Sequence, residues 1–294
     1  MRKTHISFEN PIYFPLFAAI CWIASLTLIK GLIGRISFTQ LVFFWFIFKS
    51  VLNFKGPSKP SSLSLKTPLF SIHILLGFVT LTFYISLFGA LSTLPLTNLT
   101  AIYLTFPLFI PWILRIWMGK KFSKKIILGF VIISIGILFS FNSKFGLNNI
   151  AVFLAVIAAF LKSIHWVGHR RLGAFEPPFR TWFYEACVSI CGAALLLLSS
   201  WKSFKLELLL LLVLAVFLDF LAQKSLNSQK SKALPLYFKA NLFNLAIFMG
   251  CASDLIFFHY FPPFKPFLCA ILIYFGIFLT FFKKNILPNP VYQL

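Results

Sequence analysis

Residues 89–139 read GALSTLPLTNLTAIYLTFPLFIPWILRIWMGKKFSKKIILGFVIISIGILF. Two apolar runs, 95–117 and 126–142, are separated by the basic cluster Lys120, Lys121, Lys124 and Lys125. A short turn around 91–95 joins the first of them to another apolar run, 69–91. Apolar helices of about 20 residues are long enough to cross a hydrocarbon core of about 30 Å. So short a turn makes 69–91 and 95–117 a tight antiparallel hairpin. Pro95 can open the returning helix, because a first-turn N–H has no intrahelical bond to lose. Pro107 and Pro111, one turn apart near the middle of 95–117, remove donors and set rings against the preceding turn, so a kink or local opening is expected there. Such a break suits transport, and it suits static packing equally, since neighbouring helices can satisfy the freed groups.

The pattern recurs on both sides of this hairpin. Apolar runs at 12–30, 36–54, 69–91, 95–117, 126–142, 148–167, 180–200, 206–223, 233–257 and 264–282 predict an all-α polytopic membrane protein with ten transmembrane helices. With 60% hydrophobic and 11% charged residues and a mean hydropathy of +0.91, the chain could not hide its apolar surface inside one water-soluble core. A net charge of +21 gathered in one soluble patch would suggest nucleic acid, but these charges sit mainly in turns and at span ends. Their asymmetry instead sets orientation. An inward N-terminus puts most of the 27 Lys and Arg residues at or near the cytoplasmic side, Lys49 and Lys162 among them. Lys30, Arg35, Lys144, Lys202, Lys205 and Lys265 then fall at the other side, Lys239 lies inside the ninth span, and both termini are cytoplasmic.

The charged opening is followed by Pro11 and Pro15 with no convincing small-x-small cleavage site, so the first span is expected to remain. Cys21, Cys187, Cys191, Cys251 and Cys269 lie in apolar segments without metal-ligand spacing and read as buried free thiols. The polar loop 55–67, KGPSKPSSLSLKT, reads as a flexible link, and Thr67-Pro68 as the cap and first-turn proline of the next helix. The stretch around 144–148 divides the chain into halves 1–145 and 146–294 with five helices each. An odd number per half turns the second copy upside down, the arrangement of two inverted repeats that permits alternating access. Direct echoes between the halves are faint: Ala18, Ala19 and Trp22 against Ala158, Ala159 and Lys162.

The segment Gly89–Phe139 resembles the drug/metabolite transporter superfamily, specifically its EamA-like ten-helix type. Pro95, Thr97, Pro107, Gly119, Gly129 and Gly136 carry the likeness, and the span layout extends it across nearly the whole chain. The chain departs from the family in having Lys120 where an acidic residue usually follows the glycine, and His259 at the corresponding place in the second half. The resemblance implies movement of a small metabolite or drug through a central cavity between the halves, by proton coupling or exchange. Amino acids, nucleobases or nucleosides, and S-adenosylmethionine are the substrate classes it implies. The abundance of Phe and of Lys over Arg suggests a low-GC genome, which fits a bacterial parasite or symbiont and hence the bacterial cytoplasmic (inner) membrane.

Ionisable groups at membrane depth are the candidate cavity residues, since uncompensated burial there costs at least about 2.5 kcal/mol. Lys162 and Trp166 can share one face of the sixth span, with His165 and His169 as a nearby polar strip. Lys162 either contacts an anionic substrate group or snorkels to the interface. Asp219 and Lys239 can meet at similar depth across the eighth and ninth spans, with Gln223, Asn241 and Asn244 extending the polar surface. Such a pair would bind a zwitterion, gate transport, or staple two helices. Trp22, Tyr84, Asn98 and Tyr103 are an aromatic and polar set for a planar ligand, though each alone is an ordinary packing group. Glu185 is expected to pair structurally, with Lys162 or Arg180, or to lie at the lipid interface. Asp254 is expected at an interface or in an outside gate with Lys265, and Lys30 to snorkel.

The sequence lacks the HExxH, G-x-S-x-G and phosphate-binding glycine-lysine patterns that would point to an enzyme. His165 and His169 share a face without a visible third ligand, so satisfied polar contacts are expected there, and no metal or cofactor is assigned. Secondary transport of a small-molecule metabolite by alternating access is the leading function, with a proton or an exchanged metabolite as partner alongside membrane lipids. A nontransporting membrane receptor or assembly protein is the alternative. Monomer and homodimer both remain open.

Overall fold

The computed structural model describes residues 12–54, 65–118, 124–140, 147–198, 201–203, 205–228, 245–260, 268, 271, 272, 275 and 276. Among them lie ten helices. These are α1 (Tyr13–Leu32), α2 (Phe38–Phe54), α3 (Phe70–Leu91), α4 (Leu96–Tyr103), α5 (Phe106–Met118), α6 (Lys124–Ser140), α7 (Leu147–Leu172), α8 (Pro178–Leu197), α9 (Leu206–Leu226) and α10 (Ala246–Phe258). Strand-like pairing among the described residues is limited to an isolated bridge between Ile33 and Ile36.

The first eight apolar runs each hold a helix or, for the fourth, a helix pair. The later part of the ninth is α10, and the tenth falls largely outside the described residues. Tyr13–Leu32, Phe70–Leu91, Leu96–Trp117, Asn149–Leu172 and Leu206–Leu226 are each long and apolar enough to cross a membrane. Phe38–Phe54 and Ala246–Phe258 are shorter apolar helices. Outward faces carry Phe17, Ile20, Leu75, Phe78, Ile116 and Phe153, an exposed apolar surface that suits lipid and not water.

The break in the fourth run sits at Leu104 and Thr105, just ahead of Pro107. A proline at position i removes the bond to the carbonyl of i−4 and presses its ring on that group. For Pro107 that residue is Tyr103, where α4 ends. Thr105 turns its hydroxyl back onto the Ile102 carbonyl at 2.6 Å. Pro111 is carried inside α5, so one of the two prolines interrupts the chain and the other is absorbed.

Small residues set the helix spacing. Ala18 and Ala19 of α1, Ala158 and Ala159 of α7, and Ala215 of α9 are fully buried; small side chains let backbones approach closely in a bilayer, where apolar attraction between helices is weak. Two hydroxyls tie α1 to α9, Ser25 to the Ala215 carbonyl and Ser225 to the Phe14 carbonyl, each at 2.8 Å. A Cβ placed on Gly77 of α3 would come within 2.5 Å of the Val188 Cβ of α8, so glycine is required for that approach.

Helices before residue 145 pack chiefly on helices after it. The pairings are α1 with α9, α3 with α7, α2 with α8, α2 with α9, α3 with α8, α4 with α10, α1 with α10 and α4 with α7, with α5 also touching α7. Exchanging α1 for α7, α2 for α8, α3 for α9 and α4 for α10 carries the first eight pairings onto themselves.

Candidate functional site

Where α2, α3, α7 and α9 converge, polar groups are held among aromatic rings. Trp45 and Lys49 lie four apart on α2, and Asp219 and Gln223 four apart on α9, so each pair shares a helix face. Asp219 is buried, and its Oδ2 accepts from Gln223 Nε2 at 2.7 Å and from the Tyr84 hydroxyl at 3.4 Å. The Lys49 ammonium lies 3.8 Å from the same oxygen and donates to the Tyr84 hydroxyl oxygen. A carboxylate away from water needs this combination of charge and donors.

Tyr84 sits 5.3 Å from Trp45, 5.5 Å from Phe46 and 4.6 Å from Phe83, ring centre to ring centre. Phe83 lies 6.0 Å from Tyr103, which stacks on Trp22 at 4.8 Å. The Lys162 ammonium of α7 stands 5.3 Å over Phe83, within electrostatic reach of Lys49, Asp219 and Glu185. Among the described residues Lys162 has no ion pair within contact distance. Trp45 Nε1 here, and Asn98 Oδ1 on α4, are buried without a hydrogen-bond partner among those residues.

A second cluster lies toward the end where α7 runs into α8. Glu185 of α8 meets His165 Nε2 through Oε1 at 3.0 Å and His169 Nε2 through Oε2 at 2.6 Å. Thr80 of α3 donates its hydroxyl to Oε1 at 2.8 Å. Beyond it, in the α7–α8 loop, Glu176 accepts from Thr67 at 2.5 Å and pairs with Arg180. Burial pushes the Glu176 carboxyl up, but the Thr67 and Arg180 hydrogen bonds and the Arg180 charge outweigh it and hold the group below the usual carboxylate range. Thr67 thus anchors this loop while accepting from the Leu69 N–H at 2.9 Å, and α3 begins only at Phe70.

At the opposite end, Asp254 of α10 is fully buried against the start of α4. Its carboxylate accepts from the Leu96 N–H at 2.9 Å and from the Thr97 N–H and hydroxyl, each at 2.8 Å. Lys30 of α1 lies 3.5 Å from Asp254 Oδ1 and donates to the Leu94 carbonyl at 2.9 Å. An anion at a helix N-terminus satisfies orphan donors and the positive end of the helix dipole together.

Of the residues singled out from sequence, Trp22, Tyr84, Tyr103, Lys162, Asp219 and Gln223 surround one region. Asn98 is buried on α4, and Trp166 faces Arg170 instead, 5.1 Å away. His165 and His169 join the Glu185 cluster. Lys239, Asn241, Asn244 and Lys265 lie outside the described residues. Several partners differ from those expected. The described cation at Asp219 is Lys49; Glu185 takes two histidines and not Lys162 or Arg180 as its close hydrogen-bonding partners; Lys30 binds Asp254 and does not simply snorkel. Sequence reasoning missed Lys49: five positions inside its helix end it reads as a lysine at the cytoplasmic side, and its place one turn after Trp45 is the signal that it shares that inward face.

Apolar helices around an internal polar cluster are those of a multi-pass membrane protein. The profile of the EamA-like transporter family matches residues 11–142. Over that part the chain is similar to the EamA-like transporter family, consistent with the drug/metabolite transporter superfamily. No curated protein sequence matches the chain. Several solved structures resemble the chain; one of them, a crystal structure, has a TM-score of 0.60 at 16% identity, covering 93% of this chain and 96% of that one. That likeness concerns the fold.

Proposed function

We propose that the protein is a secondary transporter working by alternating access, with its substrate bound between two inverted five-helix halves, 1–145 and 146–294. The observation that carries this reading is the Lys49–Tyr84–Asp219 cluster, which joins helices from both sides of residue 145 beneath the Lys162 ammonium. Supporting it is the packing set that maps onto itself when α1–α4 are exchanged for α7–α10, as two related halves require.

Lys162 supplies a cation for an acidic group, the chain from Trp22 to Trp45 supplies faces for a planar one, and Asp219 supplies an acceptor for an amine. These groups suit a small planar or zwitterionic metabolite; the resemblance to the family adds amino acids, nucleobases or nucleosides, and S-adenosylmethionine as candidates, moved by exchange or with a proton. The expected setting is a bacterial cytoplasmic membrane with both termini inside. Purified protein in liposomes should show saturable counterflow of at least one compound from a panel of these classes. Lys162→Ala should lower that flux at least tenfold while the protein stays monodisperse. Absence of flux across the panel counts against the transport mechanism; undiminished flux in the Lys162 variant removes the assignment of that residue.

A further inference from the structure

Glu185, His165 and His169 bring three ligand-capable side chains to one point from two helices, and the transport reading makes no use of them. Their ligand atoms all lie within 4.8 Å of one another. The imidazoles stand four residues apart on α7, ring centres 4.2 Å apart, and both turn Nε2 toward the carboxylate of α8. The geometry points to a binding site for a divalent transition-metal ion held by His165 Nε2, His169 Nε2 and a Glu185 oxygen, with a fourth position open.

The ligand chemistry narrows the class. Two imidazoles and one carboxylate suit Zn²⁺ and its neighbours Co²⁺ and Ni²⁺, whereas Mg²⁺ and Ca²⁺ prefer oxygen shells. A tetrahedral ion with ligands at about 2.0–2.2 Å holds them about 3.3 Å apart. The present 3.0 and 2.6 Å contacts run to the two different oxygens of Glu185 and need a small spreading, while ligand atoms that stand up to 4.8 Å apart must draw in as the ion takes its place between them. The side chains of His165 and His169 keep 20% and 24% of their surface exposed, so the cluster can be reached. Thr80, donating to Glu185, fixes the carboxylate from α3 as outer-shell partners of metal ligands do. Lys162, one turn before Trp166 on the same helix, opposes the added charge, and the Glu185 carboxylate offsets it. The bound ion would clamp α7 to α8 near the loop that joins them.

The test is a Co²⁺ titration of the purified full-length protein in detergent, read by the visible bands of tetrahedral cobalt, with Zn²⁺ competition and thermal unfolding in parallel. The wild type should bind one equivalent, lose the bands on adding Zn²⁺, and unfold at a higher temperature with Zn²⁺. His169→Ala and Glu185→Gln should lose both responses, and Thr80→Val should weaken binding about tenfold. His259→Ala, remote from the cluster, should bind as the wild type does. Should Glu185→Gln fail to fold, His165→Gln serves in its place. Wild-type protein that gives no cobalt bands overturns the site, as do His169→Ala and His165→Gln variants that bind as tightly as the wild type. Neither result bears on counterflow, so this site and the transport reading stand or fall separately.

Discussion

At the scale of single residues, the Asp219–Lys49 pair is where charge and packing meet. Removing one partner of a buried pair costs more than removing both, because the survivor keeps its desolvation penalty. Asp219→Asn should therefore lower unfolding stability by about 3 kcal/mol, and the double variant Lys49→Met/Asp219→Asn should recover part of that loss in the same detergent unfolding assay. Equal losses in single and double variants would show that the pair is not coupled. Glu176 offers a pH-dependent counterpart outside the helices. Its folded carboxyl titrates below the unfolded one, so its stabilisation is present above the unfolded pKa of about 4.3 and is lost as pH falls through the lower folded value. Unfolding midpoints of wild type and Glu176→Gln should differ near neutrality and converge under acid; a constant gap at all pH values would exclude this linkage.

At the scale of elements, α4 is held from outside itself. Asp254→Asn keeps the shape but removes the charge shared by two backbone donors, one hydroxyl and Lys30. The expected cost is about 1–2 kcal/mol, and amide exchange at Leu96 and Thr97 should quicken more than at Leu99. Unchanged exchange at those two amides would mean the carboxylate does not hold the helix end. Much of this level was legible before any coordinates: Pro95 marked the start of α4, and the pair Pro107 and Pro111 marked the interruption that falls at Leu104. The exchange of partners was not legible. Lys49 and Lys30 sit near helix ends, where a hydropathy reading treats a lysine as reaching for water. Whether such a side chain instead turns inward depends on which helix lies alongside. Glu185 shows the same limit, since its two histidines are plain in sequence but the packing of α8 beside α7 is not.

At the scale of the whole molecule, the Lys30–Asp254 contact and the Glu176–Arg180 contact lie at opposite ends of the bundle, with the Lys49–Asp219 cluster between them. A carrier that opens alternately must loosen one end at a time. Cysteines placed at Lys30 and Asp254 in a cysteine-free background and joined by a short bifunctional reagent should abolish counterflow, and reductive cleavage of the linker should restore it. Flux that survives the linked state would show that this junction need not part. The same junction carries an evolutionary asymmetry. Two of the three donors that α4 offers to Asp254 are main-chain amides, which any residue but proline supplies. The contact therefore makes no demand on the side chain of Leu96, which is fully buried and answers to core packing instead, and selection on the contact falls on the single acidic residue across from it.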